Sequence, residues 1–147
     1  MNPKQGVFTI KLYELERQYG QTLSRLRMYE EEDHAQIRQA LKELMAEYQE
    51  NELMLQKNVS LSRSPAVAAL AEAQLGYGRR VRHILQEELP GYLHGENSDR
   101  SADRAEAAIL YGEYAIDFAA QALRHALIAA LSAIDLQMDC EERERTP

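Results

Sequence analysis

The chain has 147 residues, 45% of them hydrophobic and 28% charged, with 7 Gly, 4 Pro and 1 Cys. That length suits one domain of ordinary size, and the apolar fraction excludes an intrinsically disordered chain. A formal charge of −7 argues against general binding of nucleic-acid backbones, and a lone cysteine excludes an internal disulfide.

No apolar run reaches the ~18 residues of a membrane span. The first ten residues lack the apolar core of a secretory signal, so the cytoplasm is the expected location. Charge is unevenly spread. Residues 1–95 carry 12 Lys or Arg against 13 Asp or Glu, and residues 96–147 carry 5 against 11. The densest basic cluster, Arg79, Arg80 and Arg82 with His83, reads as a solvated helix face, with docking of an acidic partner as the alternative.

Four helical segments follow from the periodicity. In the first, about Val7 to Glu32, Phe8, Leu12, Leu15, Tyr19, Thr22, Leu26 and Tyr29 alternate at spacings of four and three. This is the seam of helices packed side by side at a shallow angle. The second, about His34 to Asn58, carries Ile37, Leu41, Leu44, Tyr48 and Leu55 at the same spacings. Between them the seam jumps by about 100° of helix rotation, and Asp33 with Gln36 has the pattern of a capping box. A tight turn over Glu30 to Asp33 is expected; a skip residue in one continuous helix is the alternative.

Ser64 as N-cap and Pro65 at the first helical position open the third segment. Val67, Leu70, Gln74, Tyr77, Val81 and Ile84 continue the alternation. Pro90 and Gly91 are expected to end it, leaving Gly91 to Arg100 as the longest loop.

The fourth segment begins near Ser98 or Ser101 and runs to about Asp139. Its polar positions, among them Glu113, Asp117, Gln121, Arg124, His125, Ser132 and Asp135, occupy one arc of roughly 120°. The rest of the circumference is Ala, Ile and Leu. At about 1.5 Å per residue this helix reaches about 58 Å, against roughly 37–39 Å for the others. Its apolar surface exceeds what one bundle hides, so a second copy is the simplest cover. The interface residues expected are Leu123, Ala126, Leu127, Ala130, Leu131 and Ile134. A bent helix lying deeper in its own bundle is the alternative. Residues 140–147 read as a charged, disordered tail, and Glu141 and Glu142 make Cys140 a poor nucleophile.

Three segments carry an interior glycine beside a tyrosine: Tyr19-Gly20, Gly76-Tyr77-Gly78 and Tyr111-Gly112. Stacked up-down-up-down, all these pairs fall at heights of about 17–21 Å, level with Met45 and Tyr48. Each mid-helix glycine costs up to about 1 kcal/mol relative to alanine. Either the glycines make room for neighbouring rings, or Tyr19, Gly20, Tyr48, Gly76, Tyr77, Gly78, Tyr111 and Gly112 line a small-molecule pocket.

Enzymatic motifs are missing. Glu31 and His34 form one Glu-x-x-His pair of the kind di-iron bundles use, but no second pair exists. His34, His83 and His125 fall at heights of about 37, 27 and 1 Å, with His94 in a loop. There is no Cys-x-x-Cys, phosphate loop or nucleophile elbow. Arg124-His125 reads as the edge of a polar arc, His125 pairing along the face with Gln121 and Asp117. No metal or cofactor is expected.

The combined expectation is an all-α antiparallel up-down four-helix bundle with a long Ala-rich fourth helix, forming a single domain over residues 1–139. Its expected role is a non-enzymatic cytoplasmic interaction or assembly module acting as a homodimer, open to an unidentified protein partner, with neither nucleic acid nor membrane. A small-molecule-binding bundle built on the tyrosine layer is the alternative.

Overall fold

A computed structural model describes residues 3–146, with side chains from residue 6 onward. Among the described residues the chain is all-α and has no strand. Four long helices are α1 (Pro3–Tyr29), α2 (His34–Leu61), α3 (Pro65–His83) and α5 (Arg100–Arg145); a π turn (Ile84–Glu88) and the short α4 (Leu89–Leu93) follow α3. Among the described residues no helix is long and apolar enough to cross a membrane.

The break between α1 and α2 falls where the seam jumps. Glu30 N–H still bonds the Leu26 carbonyl at 3.0 Å, and Glu32 N–H closes on the Tyr29 carbonyl at 3.1 Å. Asp33 then caps α2. Its Oδ1 accepts from Gln36 N–H at 2.9 Å, while the Gln36 side-chain oxygen accepts from Asp33 N–H at 3.1 Å. The two bonds satisfy two orphan amides reciprocally, so a turn forms here without Gly or Pro.

The chain divides into two units, Asp33–Tyr114 and Met1–Glu32 with Ala115–Pro147. In the first, α2 and α3 pack on each other through the short turn at Ser62–Ser64. Ser64 Oγ accepts from Val67 N–H at 3.4 Å, with Pro65 in the first helical turn. The small core holds Ala71, Leu75 and Ala107, the last fully buried. Arg82 of α3 adds an ion pair to Glu52 of α2 at 3.0 Å.

In the second unit no described residue of α1 or of α5 beyond Tyr114 is buried. The α1 seam is open at Leu12, Leu15, Tyr19 and Leu26. On α5, Leu123, Leu127 and Leu131 are exposed, as is Ala126, while Ala130 and Ile134 are half-buried.

Two boundaries differ from expectation. Pro90 does not stop the chain's helical course. Leu89 N–H bonds the Ile84 carbonyl, five residues back, and Pro90 sits in the first turn of α4. Proline lacks a donor and its ring crowds the carbonyl four residues earlier. The wider π turn shifts that register, and an early helix position needs no donor. The loop therefore shrinks to residues 94–99.

The start of α5 at Arg100 falls between Ser98 and Ser101, as expected, and Asp99 caps it, its Oδ1 accepting from Ala102 N–H at 2.7 Å. At the other end α5 runs through Cys140 to Arg145 rather than ending near Asp139, and takes up most of the stretch read as a disordered tail. Gln137 bonds Glu141 one turn on at 3.5 Å, and Arg143 and Arg145 lie at the negative end of the helix dipole. Cys140 is exposed. Pro147 lies outside the described residues.

Candidate functional site: a cleft at the π turn

The tyrosine layer forms in part. Tyr48 of α2, Tyr77 of α3 and Tyr111 of α5 converge in the unit of residues 33–114. Burial pushes the Tyr111 phenol up from its ordinary pKa, and the nearby Tyr77 and Tyr48 phenols push the same way. The layer is open: Tyr48 and Tyr77 are exposed and Tyr111 is half-buried.

Its glycines play unequal parts. A Cβ on Gly78 would meet the Tyr48 hydroxyl at 3.1 Å, so this glycine does give a ring room. A Cβ on Gly20, Gly76 or Gly112 would meet nothing within 4 Å. Ring packing therefore accounts for Gly78 and not for the other three. Tyr19 and Gly20 lie on α1 in the other unit, where Gly20 borders a shallow concavity with Arg17 and Gln21.

A larger cleft, of about 940 Å³, opens at the π turn, within the unit of residues 33–114. None of the eight tyrosine-layer residues lines it. Leu41 and Met45 of α2 form one wall. Leu85, Gln86 and Glu87 of the π turn, with Pro90 and Gly91, form a second. His94, Arg100, Asp103, Arg104 and Ala108 complete it. The π turn matters here because its extra residue rotates the following side chains off the α3 register.

At the base of this cleft His94 Nδ1 meets Asp103 Oδ2 at 2.5 Å. Asp103 is 4% exposed, a rare state for a carboxylate in the first turn of a helix. The His94 side chain is 61% exposed, so the pair has one buried and one open member. Loop geometry sets the approach. Ser98 Oγ accepts from Gly95 N–H at 2.8 Å and donates to the Gly95 carbonyl at 3.1 Å, closing residues 95–98 into a turn.

The Ser98 hydroxyl and then the His94 ring hold Asp103 below the usual carboxylate range, against the opposing effect of burial. Asp103 Oδ1 is buried and accepts no hydrogen bond. An ionised Asp103 takes the proton-bearing Nδ1 of His94 and leaves Nε2 as the free nitrogen, the arrangement that orients an imidazole.

Sequence reasoning placed His94 in a loop and assigned Asp103 no role. An Asp in the first turn of a helix is normally a solvated dipole partner. Only the Ala-rich neighbourhood of Ala102, Ala107 and Ala108 hints that this turn packs closely. Among the described residues, no three His, Cys, Asp or Glu side chains gather where they could hold a metal ion.

Compared with protein-family models, characterised proteins and solved structures, the chain matches none of them.

Proposed function

We propose that this protein is a non-enzymatic helical assembly module of the cytoplasm, acting as a homodimer through α1 and the C-terminal two-thirds of α5. The observation that carries the reading is the apolar surface left open on both helices. Ile116, Leu123, Leu127, Leu131 and Leu136 are all exposed, as are Leu12, Leu15 and Leu26. Side chains of this kind, repeating along about 30 Å of α5 and about 20 Å of α1, are costly to leave wet and mark an interaction surface.

A second copy is the occupant that fits. From Ile116 the positions Ala120, Leu123, Leu127, Ala130 and Ile134 alternate at four and three, the same period as the α1 seam. Charge agrees. Pro3–Tyr29 carries five Lys or Arg against two Asp or Glu, whereas residues 115–145 carry three against six. An α1 of one copy is thus electrostatically matched to an α5 of the other. Two copies supply four apolar helices, enough to enclose a common core.

Light scattering coupled to gel filtration tests this across a broad concentration range. A dimer mass is expected, falling to monomer mass in Leu127→Glu while the far-ultraviolet helical signal persists. A wild-type chain that stays monomeric at high concentration overturns the proposal.

A further inference from the structure

Arg100 and Arg104 lie one helical turn apart on α5 and both line the π-turn cleft. Among the described residues neither guanidinium takes part in a hydrogen bond or ion pair. Two unpaired guanidiniums on one wall face an apolar wall of Leu41 and Met45, which are 56% and 53% exposed. This pairing is what an amphipathic ligand needs: a fork of donors for a charged head and open hydrocarbon for a body.

The rest of the lining is mixed in charge, so the preference for an anion rests on the two arginines. His94 is turned by the buried Asp103, whose Oδ1 accepts no hydrogen bond. An imidazole so oriented accepts a hydrogen bond through Nε2, and donates one when protonated. Glu87 is the remaining carboxylate of the cleft and is likewise unpaired. It opposes an anion and so serves as an internal control of sign. The volume, about 940 Å³, lies at the upper end of the range for small-molecule sites.

We propose that the π-turn cleft binds a small organic anion with an apolar body, its head held by Arg100 and Arg104 and its body laid on Leu41, Met45 and Leu85. A carboxylate and a phosphate monoester share the required chemistry, because both accept paired donors from arginine. The site lies within the unit of residues 33–114 and does not depend on self-association.

Titration calorimetry with octanoate, octyl phosphate, octanol and inorganic phosphate tests it, each on the full chain. One or both alkyl anions bind saturably, and at least about tenfold more tightly than octanol, the change expected for one good charged contact; which of them is tighter identifies the head group. Inorganic phosphate alone binds weakly, since it has no body to cover Leu41 and Met45. The double variant Arg100→Gln/Arg104→Gln loses that preference over octanol, and Glu87→Gln strengthens it. Both variants keep the wild-type oligomeric mass.

Amide shifts in a titration followed by nuclear magnetic resonance concentrate on residues 85–94 and 100–108. Equal binding of octanol and octanoate overturns the proposal, since it marks nonspecific cover of apolar surface. Unchanged anion binding in the double variant overturns it too, as do shifts confined to Leu123–Leu136.

Discussion

His94 Nδ1 and Asp103 Oδ2 stand 2.5 Å apart, joining the loop after α4 to the first turn of α5. The pair binds two segments nine residues apart and places a carboxylate where solvent hardly reaches. Its pH dependence follows from the sign of the Asp103 shift. The folded-state pKa is depressed by Ser98 and His94, so the contribution to stability is present above the unfolded value of about 3.9 and is lost as pH falls through the folded value. Urea unfolding at a series of pH values should show wild type weakening at acid pH. Asp103→Asn should lose part of that dependence while being less stable at neutral pH.

Gly76 and Gly78 should respond oppositely to the same change. Gly76→Ala places a methyl group in open space and gains helix propensity, so stability should rise by up to about 1 kcal/mol. Gly78→Ala meets the Tyr48 hydroxyl at 3.1 Å, and much of the gain should vanish. In a Tyr48→Phe background the hydroxyl is gone and Gly78→Ala should recover the gain. Chemical denaturation of wild type, the three single variants and the double variant measures this. A destabilising Gly76→Ala would show that the position is covered.

The cap of α2 is a local device with a predictable size. Asp33→Ala removes the acceptor for Gln36 N–H and frees the Gln36 side chain, so stability should fall by about 1 kcal/mol. Asp33→Asn or Asp33→Ser should restore most of it, because either can accept the same bond. Hydrogen exchange at Gln36 reports the loss directly.

Glu88 ends the π turn and binds Arg80 at 2.8 Å and His83 at 3.4 Å. Arg80 and His83 are well exposed, so screening by water limits the energy. Glu88→Gln should change stability by less than about 1 kcal/mol, with a smaller effect in high salt. A larger loss in thermal or urea unfolding would mean that the two contacts set the π turn itself.

Much of the local structure was legible in the sequence because its causes are local. The Asp33–Gln36 box, the Ser64–Pro65 start and the alternation of apolar residues each act within one or two helical turns. They locate α1, α2 and α3 without reference to anything distant. The surplus apolar surface of α5 was legible for the same reason: one turn shows only one polar arc.

The readings that failed are those where one local rule met another force. Pro90 is a helix breaker by its own chemistry, yet a π turn ahead of it removes the conflict. Residues 140–145 are charged enough to resemble a frayed tail, but helix propagation and pairing one turn apart carry α5 through them. A glycine's sequence neighbours do not tell whether a ring stands above it, so Gly78 and Gly76 look alike until α2 is packed on α3.

By itself the amino-acid order determined the helices, their caps and the seams they present, since each depends on bonds and spacings within a few residues. The three-dimensional packing alone decided that Asp103 is buried against His94, and that Arg100 and Arg104 share a cleft with Leu41 and Met45. Those relationships join residues up to about sixty positions apart, and burial of a charge depends on what distant segments shield it from water.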